Sequence, residues 1–165
     1  MNYLKPHSYR SQNMRLRNEL RQMLKRYEFD YFVTLASNHQ QWSYAHLRSL
    51  LKQWDAQVNR QINGPKWVKR PDERLVWFAF LEKPDVNPHW HLMVSVDRFI
   101  ETPARQDRTD RFPEIAEKHW MDLAPKGSFD CKTVVSSAIN DYVTKQLHDE
   151  ACFDNFTIFS QFLSK

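Results

Sequence analysis

His89 and His91 flank a single tryptophan inside an apolar run, residues 80–96, that reads as β-strand, and Tyr142 follows about fifty residues later on a stretch with helical spacing. In an extended strand successive side chains alternate between faces, so the two imidazoles project together while Trp90 turns into packing. Neutral imidazoles paired this way suit Mn, Co, Ni, Zn or, with oxygen partners, Mg. A cation held there polarises a phosphate. A tyrosine delivered to the same point can attack the phosphorus, forming a phosphotyrosine link and releasing a 3′ hydroxyl. The plainer alternative is one surface histidine and one hydrogen-bonded core histidine.

Two imidazoles leave a coordination shell open, so a third ligand is needed. Glu82 ends the strand preceding the histidines and can reach across the hairpin, and Gln146 competes for the role. On a 3.6-residue helix Tyr142, Lys145 and Gln146 share one side, while Ile139, Val143 and Leu147 form an adjacent apolar stripe. A free phenol ionises near pH 10, so the nucleophile needs help. The Lys145 ammonium favours phenolate, and a cation draws charge off the phosphorus. Against this, Tyr-x-x-Lys arises often by chance, and a helical tyrosine beside an apolar stripe commonly just packs.

The elements that must position these groups are legible in outline. Residues 9–27 place Leu16, Leu20, Met23 and Leu24 at helical intervals with Arg10, Arg15, Arg17, Arg21, Lys25 and Arg26 between them, giving a basic N-terminal helix within residues 1–28. Residues 30–36 are aromatic and β-branched and predict a strand. Ser43 is a natural N-cap for a helix whose stripe is Leu47, Leu50, Leu51, Trp54, Val58 and Ile62, stopped by Gly64-Pro65. Residues 75–82 and the histidine strand form a hairpin about a turn-prone 83–88. The polar stretch 97–111 reads as a loop, with Pro113 in the first turn of a short helix reaching about residue 123. Residues 129–135 predict a strand, 138–150 the helix bearing Tyr142, and 153–163 an aromatic tail packed on the body. That order fits a single α+β domain, 1–165, of the ferredoxin-like or RRM-like kind, with helices mainly on one face of an antiparallel sheet.

Composition excludes several classes. The chain has 165 residues, 24 Lys and Arg against 20 acids, a net charge of +4 and an isoelectric point near 9.1, a mild bias toward polyanionic partners. With 2 glycines it has no phosphate-binding loop or dinucleotide fingerprint. The 2 cysteines suit neither a zinc ribbon nor a disulfide scaffold, and together with the lack of a signal peptide or a membrane-length apolar run they lead to an expected reduced, cytoplasmic setting without membrane contact.

Phe32-Val33-Thr34-Leu35, Pro88-His89-Trp90-His91-Leu92-Met93-Val94 and Tyr142-Val143-Thr144-Lys145-Gln146 occur in this order, and together they resemble the three motifs of the HUH endonuclease superfamily. The similarity is greatest to single-tyrosine rolling-circle replication initiators, the Rep proteins, and spans residues 30–150. It implies a five-stranded antiparallel sheet, Mg2+ or Mn2+ on the His89/His91 pair with a polar third ligand, and Tyr142 as nucleophile with Lys145 beside it. Single-tyrosine transposases of the superfamily complete the metal site with a glutamine at the offset of Gln146, so marks of both branches are present. The chain departs from larger initiators in carrying no helicase part, and Trp90 is bulky for its position.

The implied activity is metal-dependent nicking and rejoining of single-stranded or hairpin DNA at a plasmid or phage-like origin through a 5′-phosphotyrosine intermediate, with host helicase and polymerase as partners. Expected DNA contacts are Arg10, Arg15 and Arg17, then Lys66, Lys69 and Arg70, then the loop cations Arg105, Arg108 and Arg111, with Trp42 and Trp67 stacking on unpaired bases. A transposase or mobilisation relaxase would share the chemistry. A non-catalytic nucleic-acid-binding module would instead use the histidines on bases or water.

Overall fold

The computed structural model describes residues 6–38, 41–82, 85–96, 103–134 and 156–162, except for the side chains at 6–11, 13 and 103. In chain order the elements are α1 (Pro6–Leu24), β1 (Tyr31–Ala36), α2 (Tyr44–Asn63), β2 (Val76–Glu82), β3 (His89–Ser95), α3 (Pro103–Leu123), β4 (Ser128–Thr133) and β5 (Phe156–Ile158). All neighbouring strands are antiparallel, in the order β4-β1-β3-β2-β5. From β1 to β4 this is the split βαβ arrangement of ferredoxin-like folds, with β5 added at the β2 edge.

Alternation along the strands builds two cores. Tyr31, Val33 and Leu35 of β1, Trp77, Ala79 and Leu81 of β2, and Trp90, Leu92 and Val94 of β3 face α2 and α3. On the opposite face Leu20 and Leu24 of α1 cover Val76, Phe78, Phe80 and Met93. With α1 over part of its second face, β2 is buried along nearly its whole length, which accounts for its continuous apolar sequence. Four tryptophans, Trp54, Trp77, Trp90 and Trp120, are fully buried. Each indole N–H has an acceptor, respectively Ala116 O, Asp55 Oδ1, Leu47 O and Ala36 O, so none carries the cost of an unpaired buried donor.

Local chemistry sets the ends of the elements. Ser43 Oγ accepts from His46 N and caps α2, whose last turn closes on Gly64 at a φ of 84°, a left-handed region that costs glycine little. Gly127 has a different reason: a Cβ there would lie 2.5 Å from Ala36 O, so only glycine lets the chain enter β4 against β1.

Two expectations are corrected. The stretch expected as a loop up to residue 111 is helical from Pro103, and Pro113 sits inside α3 rather than in its first turn. Proline lacks the N–H that would bond to the carbonyl four residues earlier. Tyr31 Oη donates to that carbonyl, Thr109 O, at 2.9 Å, so a strand side chain satisfies the acceptor the proline leaves open. The aromatic tail also supplies a strand, β5, beside β2.

Candidate metal centre

The second face of the sheet carries α1 over one part and a polar cluster at the other end. β2 and β3 pair with Glu82 opposite His89 and Phe80 opposite His91, and β1 and β3 pair with Thr34 opposite His91 and Ala36 opposite His89. Directly paired residues point to the same face, so this register brings Glu82, His89, His91 and Thr34 together. The start of β3 is anchored by Ser37, whose N–H and hydroxyl both donate to Pro88 O, at 3.1 and 2.9 Å.

Glu82 Oε2 lies 2.9 Å from His89 Nε2 and 2.7 Å from His91 Nε2. Among the described residues, this is the group of histidine, cysteine and carboxylate side chains close enough to share a metal ion. The outer nitrogens are also held. His89 Nδ1 is 2.8 Å from the Asn87 carbonyl oxygen, and His91 Nδ1 is 3.1 Å from Thr34 Oγ1. A carbonyl only accepts, so His89 Nδ1 carries the proton and, in the neutral ring, Nε2 offers a lone pair. That lone pair faces a carboxylate oxygen, and two acceptors so close require a proton or a cation between them.

A metal fits this donor set. At ligand distances of about 2.1 Å, adjacent ligands of an octahedral ion stand about 3.0 Å apart, close to the observed separations of 2.9 and 2.7 Å. Two imidazoles and a carboxylate on one side leave the remaining positions for water or substrate. The side chains are 13%, 17% and 30% exposed for His89, His91 and Glu82, so the group is sheltered yet open to a ligand from the solvent side.

The electrostatics favour the ligating protonation states. Burial pushes the Glu82 carboxyl up, but its contacts with the His91 and His89 rings outweigh it and hold the group below its ordinary value. Burial lowers His91, reinforced by His89 and Lys132 and opposed by Glu82. An ionised carboxylate beside a neutral imidazole is the state a cation requires. Phe32 stacks on the His91 ring, with centroids 5.3 Å apart and planes at 20°, which restricts its rotation.

The other expected site residues are distributed unevenly. Tyr142, Lys145 and Gln146 lie outside the described residues; of the two candidate third ligands, Glu82 is the one among the described residues, and it lies with the histidines. Val134 and Phe156, which bracket the stretch 135–155, belong to opposite edges of the sheet, roughly 19 Å apart at strand spacing. Arg10 lies in α1 with its side chain outside the described set. Arg15 is exposed and pairs with Glu19 at 3.0 Å, and Arg17 is half-buried.

Lys66, Lys69 and Arg70 are exposed just ahead of Val76, the end of β2 remote from Glu82 by about 20 Å of strand. Arg70 pairs with Glu73 at 2.7 Å. Arg105 sits 3.9 Å from Asp30, also near the remote end, while Arg108 is half-buried and Arg111 pairs with Asp107 at 3.5 Å. All three are on α3, which packs on the face opposite the cluster. Trp42 is half-buried against the core, and Trp67 lies under the Arg74 guanidinium, 5.3 Å from its ring centroid.

Two residues near the cluster were not singled out from the sequence, Thr34 as a partner of His91 and Lys132 on the exposed edge strand. Lys132 shares the cluster's face and is close enough to lower His91. The signal that would have found them is the β1–β3 and β1–β4 register. Cys131, on the other face of β4, has its thiol pushed up to about 12 by burial and by Asp130.

The fold and the site thus define an α+β protein with a two-histidine, one-carboxylate cluster on the sheet face that also packs against α1. No family model matches the chain, and no curated protein or solved structure matches it.

Proposed function

We propose that the protein is a divalent-metal-dependent DNA nickase and strand transferase of the HUH type, acting on single-stranded or hairpin DNA through Tyr142 to initiate rolling-circle replication. The observation that carries this reading is the convergence of Glu82 Oε2, His89 Nε2 and His91 Nε2 on one sheet face. The same donor set holds Fe(II) in non-haem oxygenases. The ferredoxin-like sheet, the net charge of +4 and the tyrosine motif turn the reading toward phosphate chemistry.

In this reading Glu82, His89 and His91 would hold Mn2+ or Mg2+, which would supply Lewis-acid polarisation of the scissile phosphate. Tyr142 Oη forms the bond to phosphorus, Lys145 favours its phenolate, and the 3′ oxygen leaves as a hydroxyl after taking a proton. The reverse attack by a 3′ hydroxyl rejoins the strand. Lys132, on the cluster's face, is suited to meet the DNA backbone. Host helicase and polymerase supply unwinding and synthesis, in a cytoplasmic setting. Among the described residues no helix is long and apolar enough to cross a membrane.

Incubation with Mn2+ and a random-sequence, end-labelled pool of single-stranded DNA tests the reading. A denaturation-resistant adduct mapping to Tyr142, lost with chelator and in Tyr142→Phe, is expected. Equal adduct from Tyr142→Phe would overturn the assignment of the nucleophile.

A further inference from the structure

The two histidines of the cradle are held by different kinds of partner. His89 Nδ1 faces a backbone carbonyl, Asn87 O at 2.8 Å, which accepts only and fixes one tautomer. His91 Nδ1 faces the Thr34 hydroxyl at 3.1 Å. A hydroxyl both donates and accepts. With Thr34 Oγ1 donating, His91 Nε2 carries the proton and donates a hydrogen bond to Glu82 Oε2, 2.7 Å away. With Thr34 Oγ1 accepting, the proton sits on Nδ1 and Nε2 is bare. Only the second arrangement leaves a lone pair for a cation. Rotation of one hydroxyl, with transfer of one proton between ring nitrogens through solvent, converts the first to the second without moving the ring.

We propose that Thr34 is the positioning residue of the metal centre: its hydroxyl lets His91 rest on Glu82 when the cradle is empty and then holds the tautomer that ligates. This rests on the metal reading above. Its geometry is built into the fold, because Thr34 is the β1 partner of His91, while Phe32, two residues away on the same face, stacks on the ring. The ring is thus fixed in plane by Phe32 and in proton placement by Thr34. An outer hydrogen bond of this kind commonly contributes about 10- to 100-fold to metal affinity.

The test compares Thr34→Val, which keeps the β-branched shape and strand preference but loses the hydroxyl, with Thr34→Ser, which keeps the hydroxyl. Mn2+ affinity is measured on the full chain by electron paramagnetic resonance, and His91 ring 15N shifts are recorded without metal and with Mg2+. Thr34→Val is expected to bind Mn2+ about 10- to 100-fold more weakly, with Thr34→Ser restoring most of the loss. In the wild type the His91 proton is expected to move from Nε2 to Nδ1 on adding Mg2+, and in Thr34→Val the same movement is expected only at correspondingly higher Mg2+. If Thr34→Val matches the wild type in affinity and in ring shifts, the role of Thr34 is overturned while the metal reading stands. Failure of the wild type to bind Mn2+ overturns both.

Discussion

Glu82 and His91 both sit below their ordinary proton affinities, and the two effects act on stability with the same sign. A carboxyl depressed in the folded state stabilises the protein above its unfolded value of about 4.5 and loses that contribution as the pH falls through the folded value. An imidazole depressed from 6.5 takes its proton more readily in the unfolded chain, so stability also falls as the pH drops from there toward the folded value. Denaturant unfolding of the metal-free protein between pH 7.5 and pH 4 is therefore expected to show progressive acid destabilisation, flattened in a Glu82→Gln, His91→Gln double variant; an unchanged slope would place the acid sensitivity elsewhere. Mn2+ binding reads the same groups from the other side. At one hundred times its Kd the ion is expected to raise wild-type stability by about 2.7 kcal/mol, and Glu82→Ala should remove most of that gain.

Within α3 the tolerance of Pro113 is a property of two elements together. Proline in a helix interior leaves a carbonyl without a donor, and Tyr31 of β1 supplies one to Thr109 O while stacking on Phe112 at 5.3 Å. Tyr31→Phe keeps the stacking and orphans the carbonyl, at a cost of about 1–3 kcal/mol. In a Pro113→Ala background the helix regains its own N–H, and the same substitution should cost distinctly less. A double-mutant cycle by urea denaturation measures the difference, and equal costs in both backgrounds would refute the link.

Across the whole molecule, one buried charge pair ties α2 to the sheet and to the chain's last described residues. Asp55 Oδ2 accepts from Arg74 Nη2 at 2.6 Å, Asp55 Oδ1 accepts from Trp77 and Asn59, and the Arg74 guanidinium lies 5.3 Å from the Trp67 ring and 5.7 Å from that of Phe159. Burial pushes the Asp55 carboxyl up, while Arg74 and the two N–H donors pull it down. Asp55→Ala strands the guanidinium in the core and should destabilise by about 3–5 kcal/mol, whereas replacing both partners by apolar residues should cost less. Urea midpoints separate the two outcomes.

The same scale sorts the basic residues. Lys132 shares the cluster's face, and Lys69 lies at the far end of the sheet. On the proposed reading Lys132→Ala weakens binding to single-stranded DNA more than Lys69→Ala does, in a fluorescence anisotropy titration at fixed salt. The opposite order would move the DNA path to the other end of the sheet.

The alternation of His89, Trp90 and His91 was enough to place both imidazoles on one face and the indole in the core, because a strand's side-chain period is local. The stripe of α2 and its Ser43 and Gly64 ends were legible for the same reason. The first half of α3 was not: its polar sequence carries a weak apolar signal, and the proline that suggested a start is accommodated by a hydroxyl from a distant strand. β5 is three residues long, too short to announce itself, and exists because the β2 edge accepts it. Chain composition and local periodicity thus determined the α+β class and the histidine pair. The sheet register alone decided that Glu82 stands beside the pair and that Thr34 backs His91, since strand pairing depends on contacts between residues remote in sequence.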